Sequence, residues 1–123
     1  MEQLVIEIEG RKKVFLPGDM LRGRIRWSCA ETPKTAELRL FWYTRGKGTA
    51  HSELVEGLRY DPAGPSESHN FDFKLPLAPY SFSGKLITLT WALELDIEGC
   101  SDPAVEEFVV SPFGKEVQLN ASL

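Results

Sequence analysis

The sequence predicts an all-β protein, an antiparallel β-sandwich of about seven strands. Three observations carry that prediction. From Ile87 to Ile97 the odd positions are Ile87, Leu89, Trp91, Leu93, Leu95 and Ile97, with Thr88, Thr90, Glu94 and Asp96 between them. Successive strand side chains point to opposite faces, so this stretch is a central strand with one apolar and one largely polar face. The same alternation recurs along the chain, broken by turn signals at intervals of about ten residues. No segment is assigned to a helix.

Taken in order, Leu4 to Glu9 is a strand with Leu4, Ile6 and Ile8 inward, and Gly10-Arg11-Lys12-Lys13 is a turn with solvated charges. Val14-Phe15-Leu16 leads into Pro17-Gly18-Asp19, where the fixed φ of proline and the positive φ open to glycine suit a type II turn. Met20 to Cys29 is the second strand. Leu21, Ile25, Trp27 and Cys29 share its inner face with Gly23, and Arg22, Arg24 and Arg26 form a row on the other. After Thr32-Pro33-Lys34, the strand Thr35 to Arg45 turns Ala36, Leu38, Leu40 and Trp42 inward and Glu37, Arg39, Phe41, Tyr43 and Arg45 outward. Phe41 and Tyr43 either support neighbouring side chains or form an exposed contact patch.

Gly46 to Tyr60 reads as a strand with a bulge, and Asp61 to Ser66 as a loop. Phe71, Phe73, Leu75 and Leu77 form the inner face of the next strand, opposite Asn70, Asp72 and Lys74; the structured loop Pro76 to Gly84 joins it to the Ile87–Ile97 strand. Gly99 to Pro103 is a turn, and Val105 to Val110 is the last strand. The tail 113–123 is weakly patterned, an edge strand or a frayed end.

With 123 residues and 42% hydrophobic content, the chain fits one domain, 1–123, that buries a core without staples. No apolar run approaches the roughly 20 residues of a membrane helix, and MEQLVIEIEG is an alternating strand rather than a signal peptide. A cytoplasmic protein is expected. Reduced thiols are accordingly expected at Cys29 and Cys100, although alternating strand directions bring the two to one end of the molecule. Asn120-Ala121-Ser122 is a chance match to a glycosylation acceptor. The net charge of −4 hides an asymmetry: ten Lys and Arg against six Asp and Glu in residues 1–50, then four against twelve. Cross-strand pairing of basic and acidic rows explains it, and an acidic total argues against a nucleic-acid partner.

The motifs of catalysis are missing: no nucleophile elbow, phosphate loop, paired Cys-x-x-Cys or His-Glu-x-x-His occurs. His51, Glu53 and His69 could form a two-histidine, one-carboxylate site, but surface histidines are the favoured reading. Cys100 has no neighbouring cation in sequence to activate it, and Trp27, Trp42 and Trp91 all fall on inward phases. The arginine row is the most informative surface feature. Guanidinium groups about 7 Å apart on a strand can grip an acidic or phosphorylated peptide; the favoured alternative is that they pair with Glu7, Glu9 or Asp72.

Two segments carry a resemblance: Phe15-x-Pro17-Gly18-Asp19-x-x-x-Gly23, and Phe71-x-Phe73-x-Leu75-Pro76 followed by Tyr80-Ser81-Phe82-x-Gly84 and the strand Trp91 to Asp96. Over roughly residues 3–111 the chain resembles the N-terminal domain of the arrestin family, taken broadly to include arrestin-domain proteins and the related retromer subunit. The resemblance implies an immunoglobulin-like, arrestin-type sandwich with adaptor function. It does not supply the family's inter-domain polar core, since the chain has length for one sandwich, and no arginine or lysine here aligns with the family's phosphate sensor.

These readings predict a non-catalytic protein-interaction domain, without cofactor or metal, that binds a protein or peptide through a sheet edge or end loop. The candidate contacts are Arg22, Arg24, Arg26, Phe41, Tyr43 and Tyr80, and the partner surface is acidic or phosphorylated. A homodimer through an edge or the Phe41/Tyr43 patch is the alternative, and a small metal-dependent hydrolase using His51 and His69 is a third reading. Insertion into a membrane is not expected.

Overall fold

The computed structural model describes residues 2–46 and 48–118, and within them the alternating segments form two sheets packed face to face. The first is antiparallel, with β3 (Met20–Ser28) between β1 (Gln3–Ile8) and β6 (Ser66–Lys74). The second is built on β8 (Ile87–Ile97). One side of β8 pairs with β4 (Ala36–Gly46), which pairs in turn with β5 (Thr49–Tyr60). Its other side takes β7 (Phe82–Ser83) and β9 (Ala104–Val110). Two short parallel additions, β2 (Val14–Phe15) beside β9 and β10 (Val117–Gln118) beside β7, complete it. The domain is thus the predicted arrestin-type sandwich.

The core follows the predicted phases except at Leu77, which lies beyond the end of β6 and is exposed. Rungs between β4 and β8 stack Leu38 on Leu95, Leu40 on Leu93 and Trp42 on Trp91, and Leu21, Ile25, Trp27, Phe71 and Phe73 face them from the first sheet. Trp27 and Trp91 are buried and Trp42 is half-buried at the rim. A β-bulge at Val55 lets Leu40 face Glu56 while Phe41 faces Leu54, as the irregular pattern of β5 anticipates.

The two resemblance segments have physical causes. Gly18 has φ +84°, and Asp19 N donates to Leu16 O at 3.0 Å, closing the turn between β2 and β3; the Asp19 carboxylate accepts from Leu16 N at 2.8 Å. Gly23 lies beneath the Phe71 ring, where a Cβ would come within 2.8 Å of ring carbon Cζ. Ser81 is buried and satisfied: its N donates to Val110 O at 2.8 Å, and its Oγ accepts from Val110 N at 2.9 Å. That pair holds the Pro76–Gly84 loop against the end of β9.

Three expectations change. Three short strands, β2, β7 and β10, join the seven long ones, and β6 begins at Ser66, so the preceding loop is only 61–65. Cys29 and Cys100 are joined as a disulfide, their Cα atoms 5.4 Å apart, which overturns the reduced-thiol expectation: strand alternation brings the ends of β3 and β8 together. The tail forms β10 over Val117–Gln118, while 119–123, including Asn120-Ala121-Ser122, lie outside the described residues. No helix among the described residues is long and apolar enough to cross a membrane.

Candidate functional site

Alternation along β3 puts Arg22, Arg24 and Arg26 on the outer face of the first sheet, all exposed. The register sets Arg24 between Glu7 of β1 and Asn70 of β6, and Arg22 opposite Asp72. Their partners differ along the row. Arg26 Nη2 makes an ion pair with Glu7 Oε1 at 2.6 Å, so the pairing reading holds there. Arg24 Nε donates to the neutral Asn70 Oδ1 at 3.4 Å, and Arg22 has no ion pair among the described residues despite its register with Asp72.

After β1 the chain makes a single 3-10 turn, Glu9–Arg11, with positive φ at Gly10 (68°) and Arg11 (54°). This turn swings Arg11, Lys12 and Lys13 toward the start of β3, where they share with Arg22 and Arg24 an open cleft of about 1330 Å³. Lys12 Nζ lies 3.4 Å from Asp19 Oδ2 and 4.7 Å above the Phe15 ring. Arg11, Lys13 and Arg22 have no ion pair among the described residues. A smaller hollow of about 360 Å³ continues the surface past Arg26, between Val5 and Ser68. The cleft is lined by Arg11, Lys12, Lys13, Arg22, Arg24 and Arg59 and also by Glu7, Glu9, Asp72 and Glu106, so it carries an excess of positive charge rather than positive charge alone.

The remaining candidates lie elsewhere. Phe41 and Tyr43 are on the outer face of the second sheet, half-buried and stacked at 6.0 Å, with the Arg45 guanidinium 5.2 Å from the Tyr43 ring. The Tyr43 hydroxyl donates to Glu107, and burial first, then that carboxylate, pushes its pKa up. Beside it Arg39 binds Glu37 at 2.7 Å, Glu94 at 2.9 Å and Asp96 at 3.4 Å. Burial works against the guanidinium charge, but the Glu94 bond and the charges of Glu37 and Asp96 outweigh it and raise the pKa. Tyr80 is 40% exposed on the loop at the end of the sandwich where β8 begins. The six predicted contacts thus occupy three separate places: the arginine row, the stacked Phe41–Tyr43 pair and the loop bearing Tyr80.

The two histidines are not brought together. His51 sits on β5 beside Glu53 at 3.3 Å, whereas His69 lies on β6 of the other sheet, 2.9 Å from Glu67. His69 is packed on Tyr60 (4.7 Å) and Trp27 (5.3 Å), closing the gap between the β5 and β6 edges. Burial first, then the charge of Asp72, raises the Tyr60 pKa. No group of three potential metal ligands occurs among the described residues, so the His51–Glu53–His69 site is not assembled.

Sequence reasoning missed Arg11, Lys12 and Lys13, which it read as solvated turn charges. The signal available was the run itself, placed between a strand ending at Ile8 and one starting at Met20. Only the tertiary path of the turn shows that this run meets the arginine row.

No protein-family model matches this sequence, and no curated protein does. Among solved structures the chain is similar to Spo0M, a sporulation control protein from Bacillus subtilis. The TM-score is 0.64 at 22% identity, covering 89% of this chain and 49% of that one. The chain therefore spans about half the length of that neighbour. Likeness at this identity establishes the fold, and the fold is an arrestin-like β-sandwich.

Proposed function

We propose that this domain is a non-catalytic interaction module that holds an acidic or phosphorylated segment of a partner protein in the cleft between the Glu9–Arg11 turn and the arginine row. The observation that carries this reading is the convergence of Arg11, Lys13, Arg22 and Arg24 on one open cleft, where none of the four has an ion pair among the described residues. Guanidinium groups in a row offer bidentate donors to phosphate or carboxylate, and a strand holds them at fixed spacing. The fold supports the same direction, since a solved protein that shares it is a sporulation control protein.

The test is a titration of the purified domain with labelled phosphoserine-rich, glutamate-rich and neutral peptides, followed by fluorescence anisotropy at rising salt. Salt-sensitive binding to the charged peptides is expected, weakened at least tenfold in the variant R22E/R24E/R26E. Equal affinity for the neutral peptide, or an unaffected variant, would overturn the reading.

A further inference from the structure

Large apolar side chains exposed on this domain are not scattered. Of the nine that are exposed among the described residues, Leu16, Met20, Leu77, Tyr80, Leu86 and Phe113 lie at one end, where β3 and β8 begin and β6 and β9 finish. Backbone bonds gather the segments that carry them: Leu75 N to Asp19 O at 2.9 Å, Ser111 N to Phe15 O at 2.9 Å and Ser81 N to Val110 O at 2.8 Å. Leu77 packs over Gly18, and Leu86 runs beside Gly46. Leu77, Leu86 and Phe113 are 73%, 72% and 68% exposed at loop tips.

The charge at this end decides what would cover it. Residues 51–123 hold only four Lys and Arg against twelve Asp and Glu, yet three of the four, Lys74, Lys85 and Lys115, lie in these segments, with Glu116 alone of the twelve beside them. Asp19, the other acid here, is engaged by Lys12 and the Leu16 amide. A second copy docked symmetrically would set lysines against lysines. The residues lining the basic cleft come from β1, β3, β5, β6, β9 and the Glu9–Arg11 turn with the two lysines after it, and not from these apolar segments, so this end presents protruding tips rather than a groove for a peptide.

From this placement we infer that the end of the sandwich bearing Leu77, Leu86 and Phe113 docks on an anionic lipid surface, its apolar tips entering the headgroup layer and its lysines meeting the lipid charge. Exposed apolar patches mark membrane or protein contacts, Tyr suits the headgroup level, and each lysine near an anionic bilayer strengthens binding by about fivefold. The contact is interfacial, so the lack of a spanning helix among the described residues does not oppose it, though it departs from the expectation of no membrane insertion.

Co-sedimentation of the full chain with phosphatidylcholine vesicles and with mixed phosphatidylcholine–phosphatidylserine vesicles tests it. The chain should pellet with the mixed vesicles, weaken with salt, and lose at least tenfold in affinity in L77S/L86S/F113S and in K74E/K85E/K115E. These positions are exposed, and circular dichroism checks that both variants keep the fold. No pelleting with mixed vesicles, or an apolar variant that pellets as well as the parent, overturns the inference. Self-association that disappears in the apolar variant, without vesicle binding, would instead assign this end to a second copy.

Discussion

Trp91 Nε1 donates to the carbonyl oxygen of Pro79 at 2.9 Å, so a fully buried side chain of the central strand is fastened to the loop that precedes it. Trp91→Phe removes the donor, leaves that carbonyl unpaired and opens space beside Phe108. The expected loss is about 2–3 kcal/mol in urea unfolding. An unchanged midpoint would show that the bond contributes nothing.

Gly23→Ala should destabilise more than its size suggests. The new methyl would sit 2.8 Å from Phe71 Cζ and against the Glu7 carbonyl, in backbone that cannot yield without breaking the β1–β3 register. A fall in Tm of about 10 °C is expected. Calorimetry showing a loss within a degree or two would mean that Phe71 moves freely aside.

Glu67 gives the domain an acid-sensitive element. Its carboxylate accepts from Ala63 N at 2.5 Å and Gly64 N at 3.0 Å and meets His69 at 2.9 Å; the Ala63 bond first, then Gly64, holds its pKa below the ordinary glutamate value. A depressed carboxylate stabilises the fold above its unfolded pKa, and that contribution disappears as pH falls through the folded value. Glu67→Gln should therefore cost about 1 kcal/mol at neutral pH and progressively less below about pH 4. Parallel stability–pH curves for parent and variant would contradict this.

The Cys29–Cys100 bond closes a separation of 71 residues between the ends of β3 and β8. Loop-closure entropy gives it a stabilisation of about 4 kcal/mol. Guanidinium unfolding with and without reductant should differ by that order in the parent and not at all in Cys29→Ser; identical parent curves would show that the pair is not oxidised in solution.

The long strands were legible because their period of two is unbroken: Leu21 to Cys29, Ala36 to Trp42 and Ile87 to Ile97 announce which face is buried. The two-residue strands β2, β7 and β10 carry no periodicity at that length, so only the packed structure reveals them. The same limit governs the site. Arg22, Arg24 and Arg26 follow from alternation on one strand, but their meeting with Arg11 and Lys13 depends on the turn at Gly10. For the disulfide, strand direction supplied the proximity, while the compartment argument pointed to free thiols.

The bulge at Val55 bears on how this protein coexists with copies of itself. β5 is the longest strand and an outer edge of its sheet, and Ala50 to Gly57 are exposed along it. A flat edge of that length would be a template on which further strands could add, chain after chain. Val55 breaks the ladder near its middle, and Glu53 and Glu56 stand on either side of the break. An irregular ladder flanked by carboxylates is the kind of edge on which a further strand pairs poorly.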